Sequence, residues 1–186
     1  MVSDTPTPEL SRRIKAKSLP AGPVVIEADA GERAALAKRF GLPGIDTLRA
    51  EIELEQKGKA VRALGTLKAA IRQSCSVSGE EFPANISEEI ELRFFEEGTL
   101  IPVPADGEEI EIELEADDCD EIEYSGDSFD LGEAVAQTLG LAIDPYAEGP
   151  NADEARKEAG IANEEEQTGP LAAGLAAGLA ALKKKS

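Results

Sequence analysis

The sequence predicts an α+β domain: a mainly antiparallel sheet, open or partly closed into a barrel, with two or three packed helices and a flexible C-terminal tail. Three observations carry this reading. Two long segments of period-two alternation flank Lys57-Gly58-Lys59, helix-capping signals stand at Asp29 and Asp130, and beyond Asn151 the chain turns polar and then repetitive. A chain of 186 residues is long enough for one domain with a core and too short for two large ones. The expected organisation is a single α+β domain over residues 1–150, a polar linker over 151–169 and a helical or disordered tail over 170–186. With 4% aromatic residues and no Trp, the core must be filled by Ile, Leu, Val and Ala.

Ser11 to Lys17 and Val24 to Ala28 read as short strands separated by the turn residues Pro20-Ala21-Gly22-Pro23. Asp29 with Glu32 three positions on forms a capping-box signature, Ala34 to Arg39 are good helix formers, and Gly41 and Pro43 supply the stop. Between Ile45 and Gln56, Ile52 and Leu54 alternate with glutamates, and from Ala60 to Gln73 the apolar set falls on one parity. These segments predict two antiparallel strands joined through Gly58. Arg62, Lys68 and Arg72 share the opposite parity, so the pleat aligns them on one face, as a basic stripe or as the ordinary polar face of a half-buried sheet. Ile90, Leu92 and Phe94 predict a further strand. Ile110, Ile112 and Leu114 alternate with Glu109, Glu111, Glu113 and Glu115, which predicts a strand with one apolar and one carboxylate face. Asp130 then caps a second helix, with Leu131, Ala134, Val135 and Leu139 on one side to pack against the sheet. Leu171, Leu175, Leu179 and Leu182 recur at near-helical spacing in the tail, ahead of Lys183 to Lys185. Gly174 and Gly178 weaken that helix by about 1 kcal/mol each, so it is expected to form on a docking surface or to stay disordered.

Charge is distributed unevenly. Asp and Glu number 38 against 19 Lys and Arg, a formal net charge of −19. Residues 1–80 hold 13 basic and 10 acidic side chains and residues 81–186 hold 6 and 28, so the two portions carry +3 and −22. Between Asp106 and Glu133 there are 14 carboxylates and no cation. Such a segment repels a phosphate backbone and attracts a basic polypeptide; the alternative is a solvated face that confers solubility.

Chemistry finds little support. The absence of His removes the commonest general base, no Gly-rich phosphate loop follows a strand, and Cys75 and Cys119 make neither a disulfide framework nor a zinc site. Asp117, Asp118 and Asp120 lack the spacing of a calcium loop. Neither catalytic nor metal-ligating residues, nor a cofactor, nor a small-molecule substrate is expected. No apolar stretch reaches the roughly 18 residues that span a bilayer, so no membrane partner and a cytoplasmic location are expected.

Three stretches in order are similar to the signatures of the YceD family of large ribosomal RNA subunit accumulation proteins. They are Glu32-Arg33-Ala34-Ala35-Leu36-Ala37-Lys38-Arg39-Phe40-Gly41-Leu42, then Gln73-Ser74-Cys75, then Phe129-Asp130-Leu131-Gly132-Glu133-Ala134-Val135-Ala136-Gln137 running to Leu141-Ala142-Ile143-Asp144-Pro145-Tyr146. The Leu-Ala-Ala-Leu-Lys close near Leu182 also resembles the family's ending. The resemblance implies a non-catalytic role in ribosomal RNA accumulation and a ribosomal-protein partner. Many members carry Cys-x-x-Cys where this chain has Cys75-Ser76-Val77-Ser78, so no metal or redox role transfers. Relatives often continue Pro-Arg after the Tyr, where Ala147-Glu148 stands here, so no basic contact transfers either.

Two functions follow as expectations. The chain binds a basic ribosomal protein or a pre-ribosomal large subunit through Glu109, Glu111, Glu113 and Glu115 and docks its tail through Leu171, Leu175, Leu179 and Leu182. Alternatively it contacts ribosomal RNA through Arg12, Arg13, Lys15, Lys57, Lys59, Arg62, Lys68 and Arg72.

Overall fold

In the computed structural model, which describes residues 8–98 and 120–161, the alternating segments form one long hairpin. Strand β3 (Gly44–Lys57) pairs antiparallel with β4 (Ala60–Ser74) from Gly44↔Arg72 to Lys57↔Ala60. Gly58, at φ 65°, takes the first of the two loop positions, the placement that suits a type II′ turn. On the buried side Leu48 and Ala50 of β3 stand opposite Ala69 and Leu67 of β4, and Ile45 stands opposite Ile71. The register shifts once, between Ile45 and Thr47, and the extra residue at this bulge is Asp46.

Strands β1 (Arg13–Lys15) and β2 (Val24–Glu27) precede the hairpin; β5 (Glu81–Glu96), β6 (Asp120–Tyr124) and β7 (Ser128–Asp130) follow it. Five strands form a sheet in the order β2-β3-β4-β5-β6, with β6 parallel to β5. Among the described residues the sheet does not close into a barrel. β1 pairs antiparallel with β7 as a separate ribbon, Ile14 opposite Phe129, and among the described residues β2 and β6 are the edges of the five-stranded sheet.

Helix α1 (Ala30–Phe40) has the complete capping box: the Asp29 carboxylate accepts from the Glu32 N–H, and Glu32 accepts from the Asp29 N–H, both at 2.9 Å. It stops at Gly41, whose φ of 67° is a left-handed conformation that a side chain would strain. Helix α2 (Leu131–Ala142) starts at Asp130, whose carboxylate accepts from Gly132 N–H and Glu133 N–H. Both helices bury their apolar faces in one cluster with the sheet, in which Phe94 stacks on Phe129 at 4.2 Å between ring centroids.

The chain divides into two compact units. One holds residues up to Gln73 and Pro83–Pro145 and contains the core just described. The other holds Ser74–Phe82 and the chain from Tyr146, which includes the short helix α3 (Ala152–Glu158). Within it, Ser76 N–H donates to Ala147 O and the Asn151 amide to Glu80, while Arg156 pairs with Glu148 and, at 3.1 Å, with Asp153. Glu148 therefore serves as a local anchor for α3.

The Asp130 carboxylate also accepts from the Ser11 hydroxyl and from Arg12 N–H at 2.8 Å, so one side chain caps α2 and fixes the approach to β1. Replacing Asp130 by Ala removes a cap and leaves partly buried donors without an acceptor. It should cost about 2–4 kcal/mol, with a melting temperature lowered by roughly 5–15 °C. Asp130→Asn, which keeps an acceptor oxygen, should lose less, and equal melting temperatures for wild type and Asp130→Ala would contradict this role.

Candidate functional site

The basic residues singled out in the sequence divide by what they touch. Arg12 is turned inward: its guanidinium grips both carboxylate oxygens of Glu32, at 2.7 and 3.0 Å, and reaches the Ser11 and Glu27 carbonyls. That grip is the largest cause holding the Glu32 carboxyl below its ordinary range. Arg13 and Lys15 project from β1 into solvent, Arg13 donating to the Ser128 hydroxyl. Lys57 and Lys59 are exposed at the hairpin tip.

Arg62, Lys68 and Arg72 all lie on the outer side of β4, opposite the buried Val61, Ala63, Leu67, Ala69 and Ile71. The stripe is not a bare row of cations. Arg62 pairs with Glu91, and Arg72 Nε lies 3.4 Å from Asp46. Lys68 stands directly across from Arg49 on β3, a like-charge pairing that antiparallel sheets disfavour. Arg49 is held by Glu27 and by Glu51 at 3.5 Å. Sequence reasoning missed Arg49 because its parity is visible in β3 but its partner depends on the register of β4.

The acidic run also divides. Glu109, Glu111, Glu113 and Glu115 lie outside the described residues, as do Asp117, Asp118, Cys119 and the tail leucines Leu171, Leu175, Leu179 and Leu182. Within the described part, Asp120, Glu121 and Glu123 are exposed on β6, an edge of the sheet, with Glu121 3.6 Å from Arg93. Asp130 and Glu133 have internal work: Glu133 holds Arg39 at 2.8 Å while Arg39 also binds Glu9.

Cys75 sits in the second unit with 3% of its surface exposed. Ser78 N–H points at its Sγ at 3.4 Å, and Cys75 N–H and O bond Glu80 and Gly79 in a tight turn. The Ser78 hydroxyl, then the backbone N–H groups of Ser78 and Gly149, push the thiol down to about 7. Ser78, standing where a second cysteine would complete a pair, acts here as a hydrogen-bond donor to sulfur.

A family model described as large ribosomal RNA subunit accumulation protein YceD matches residues 63–184, more than half of the chain. The chain belongs to the YceD family. The matched segment starts within β4 and takes in the Cys75 turn, α2 and α3, so the YceD match does not include α1 and its capping box. Comparison with curated proteins and with solved structures finds no match. The YceD family is named for accumulation of large-subunit ribosomal RNA and is not a known enzyme family. Among the described residues no helix is long and apolar enough to cross a membrane.

The lowered Cys75 thiol implies a stability change with a defined sign. Its folded value, about 7, lies below the ordinary thiol value, so the native state favours the thiolate. The contribution is present above pH 9 and is lost as pH falls toward 7. Melting temperatures of wild type and Cys75→Ser should therefore diverge in favour of wild type as pH rises from 7 to 9. A constant difference across that range would contradict the hydrogen-bonded thiolate.

Proposed function

We propose that this protein is a non-catalytic cytoplasmic factor that promotes large-subunit ribosomal RNA accumulation by binding a basic ribosomal protein or a pre-ribosomal particle through its acidic half. The observation that carries this reading is the division of charge, +3 over residues 1–80 against −22 over residues 81–186. Clustered like charge costs folding stability through self-repulsion, and it supplies long-range attraction and orientation toward a cationic partner. The described part of the run supports this: Asp120, Glu121 and Glu123 lie exposed on one edge strand. In this reading residues 1–150 are the folded body, 151–169 a connection, and Leu171, Leu175, Leu179 and Leu182 a second contact that forms a helix on the partner.

A second reading, direct contact with ribosomal RNA, is favoured by the exposure of Arg13, Lys15, Lys57, Lys59 and Lys68. The two readings use different surfaces and are compatible in one complex.

Changing Glu109, Glu111, Glu113 and Glu115 together to Gln tests the first reading. Capture of ribosomal proteins from cell extract by the variant should fall by about tenfold or more, and growth complementation should weaken with it. Folding should survive or improve slightly, because like charge is removed. Unchanged capture together with unchanged complementation would reduce the acidic face to a solvated surface.

A further inference from the structure

A groove of about 390 Å³ lies in the first unit between α1 and the start of β3. Its lining includes three cations, Arg33, Lys38 and Arg72, and no carboxylate, over small residues that include Ala34, Ala37 and Gly44. Two other grooves have the opposite character. One, beside Pro20 and Pro23, includes Glu53, and one in the second unit includes Glu80, Glu154 and Glu158; neither has a cationic lining residue.

Two of the three cations are held in place. Arg33 Nη1 donates to the Ala28 carbonyl at 2.6 Å, which anchors its guanidinium at the first turn of α1. Lys38 stands exposed in the last turn. The Arg72 guanidinium lies against Gly44: a Cβ there would meet its Nη2 at 2.1 Å, so any side chain at that position would displace the guanidinium. The bulge at Asp46 puts a carboxylate beside Arg72 Nε and so steadies that position. Bulges recur next to functional sites because they re-aim side chains in this way.

We propose that this groove is a binding site for the phosphate backbone of RNA, with Arg33, Lys38 and Arg72 as its phosphate contacts. The inference rests on the RNA reading above and gives it a location. The groove sets these three cations among apolar residues, Leu42, Pro43 and Ile45 included. Its lining has no aromatic ring for a base to stack on, which points to backbone rather than base contact. Of the larger apolar lining residues, Ile45 is buried in the core and Leu42 packs against it, so neither stands free to anchor a docked peptide. Guanidinium forks match phosphate oxygens bidentately, so two arginines and a lysine suit a chain of phosphates. Binding there is expected to be sequence-tolerant and steeply dependent on salt.

The test uses the full chain and a fluorescein-labelled oligouridylate of about a dozen nucleotides, read by anisotropy across a salt series. Lys38→Gln/Arg72→Gln should weaken binding about tenfold or more and flatten the slope of log affinity against log salt by about 1.4, two phosphate contacts at roughly 0.7 each. Ala34→Glu, which puts a carboxylate in the groove while keeping a good helix former, should weaken it comparably without lowering the melting temperature. A third variant, Lys57→Gln/Lys59→Gln/Lys68→Gln, removes charge elsewhere. If it loses RNA binding while both groove variants keep wild-type affinity, the groove is refuted and the RNA reading survives. If wild type binds no oligouridylate, both fall. If polyglutamate binds in the groove and the oligouridylate does not, the site takes an acidic protein and the proposal is overturned.

Discussion

The carboxylate of Asp130 is the constraint on which the body of the molecule depends. It caps α2 and accepts from the Ser11 hydroxyl and from Arg12 N–H, while the Asp130 backbone pairs with Arg13 at the end of the β1–β7 ribbon. The Arg12 side chain extends the network to Glu32, which in turn completes the capping box of α1 with Asp29. Two helix N-termini, distant in sequence, are thus tied through one arginine. Each capping carboxylate lies where the helix dipole favours negative charge, and partial burial makes these bonds stronger than exposed ion pairs. With this network in place β1 belongs to α2 and β7 rather than to the main sheet, and the sheet stays open.

An open sheet has edges, and β6 is one of them among the described residues. Charge on an edge strand discourages pairing with other chains, so Asp120, Glu121 and Glu123 protect the fold while presenting an anionic border. The positive groups are arranged differently. Many of the arginines are engaged with carboxylates, as Arg12, Arg39, Arg49, Arg62, Arg72, Arg93 and Arg156 are, whereas Lys57, Lys59 and Lys68 stand in solvent. Any contact with RNA would therefore fall to a few exposed lysines and to the groove proposed beside α1. A protein of net charge −19 approaches RNA only where such a local concentration overcomes the field of the whole.

Local features of the fold were legible in the sequence. The capping box at Asp29 and Glu32, the stop at Gly41, the Asp130 cap and the hairpin around Gly58 are each encoded within a few residues of themselves, and the structure has all four. What stayed hidden depends on partners far along the chain. β7 is three residues long, too short for a periodic signal, and its pairing with β1 joins Lys15 to Ser128. Without that pairing an open sheet and a partly closed barrel read alike. The charge of Arg12 is visible in the sequence, but its pairing is not, because its acceptor, Glu32, is not adjacent. Arg33 and Lys38 were read as parts of a well-made helix, and only the return of Arg72 over Gly44 gathers them into a groove.

The central claim is that one face of this protein meets a basic protein. The most direct measurement places a photo-crosslinking amino acid at Glu123 on β6 in living cells and identifies what it captures by mass spectrometry and RNA sequencing. The same probe at Val25, exposed on the opposite edge strand β2, serves as the reference. The account predicts that the Glu123 probe yields a large-subunit ribosomal protein well above the yield at Val25. Equal yields at the two positions, or capture of RNA alone at Glu123, would contradict it.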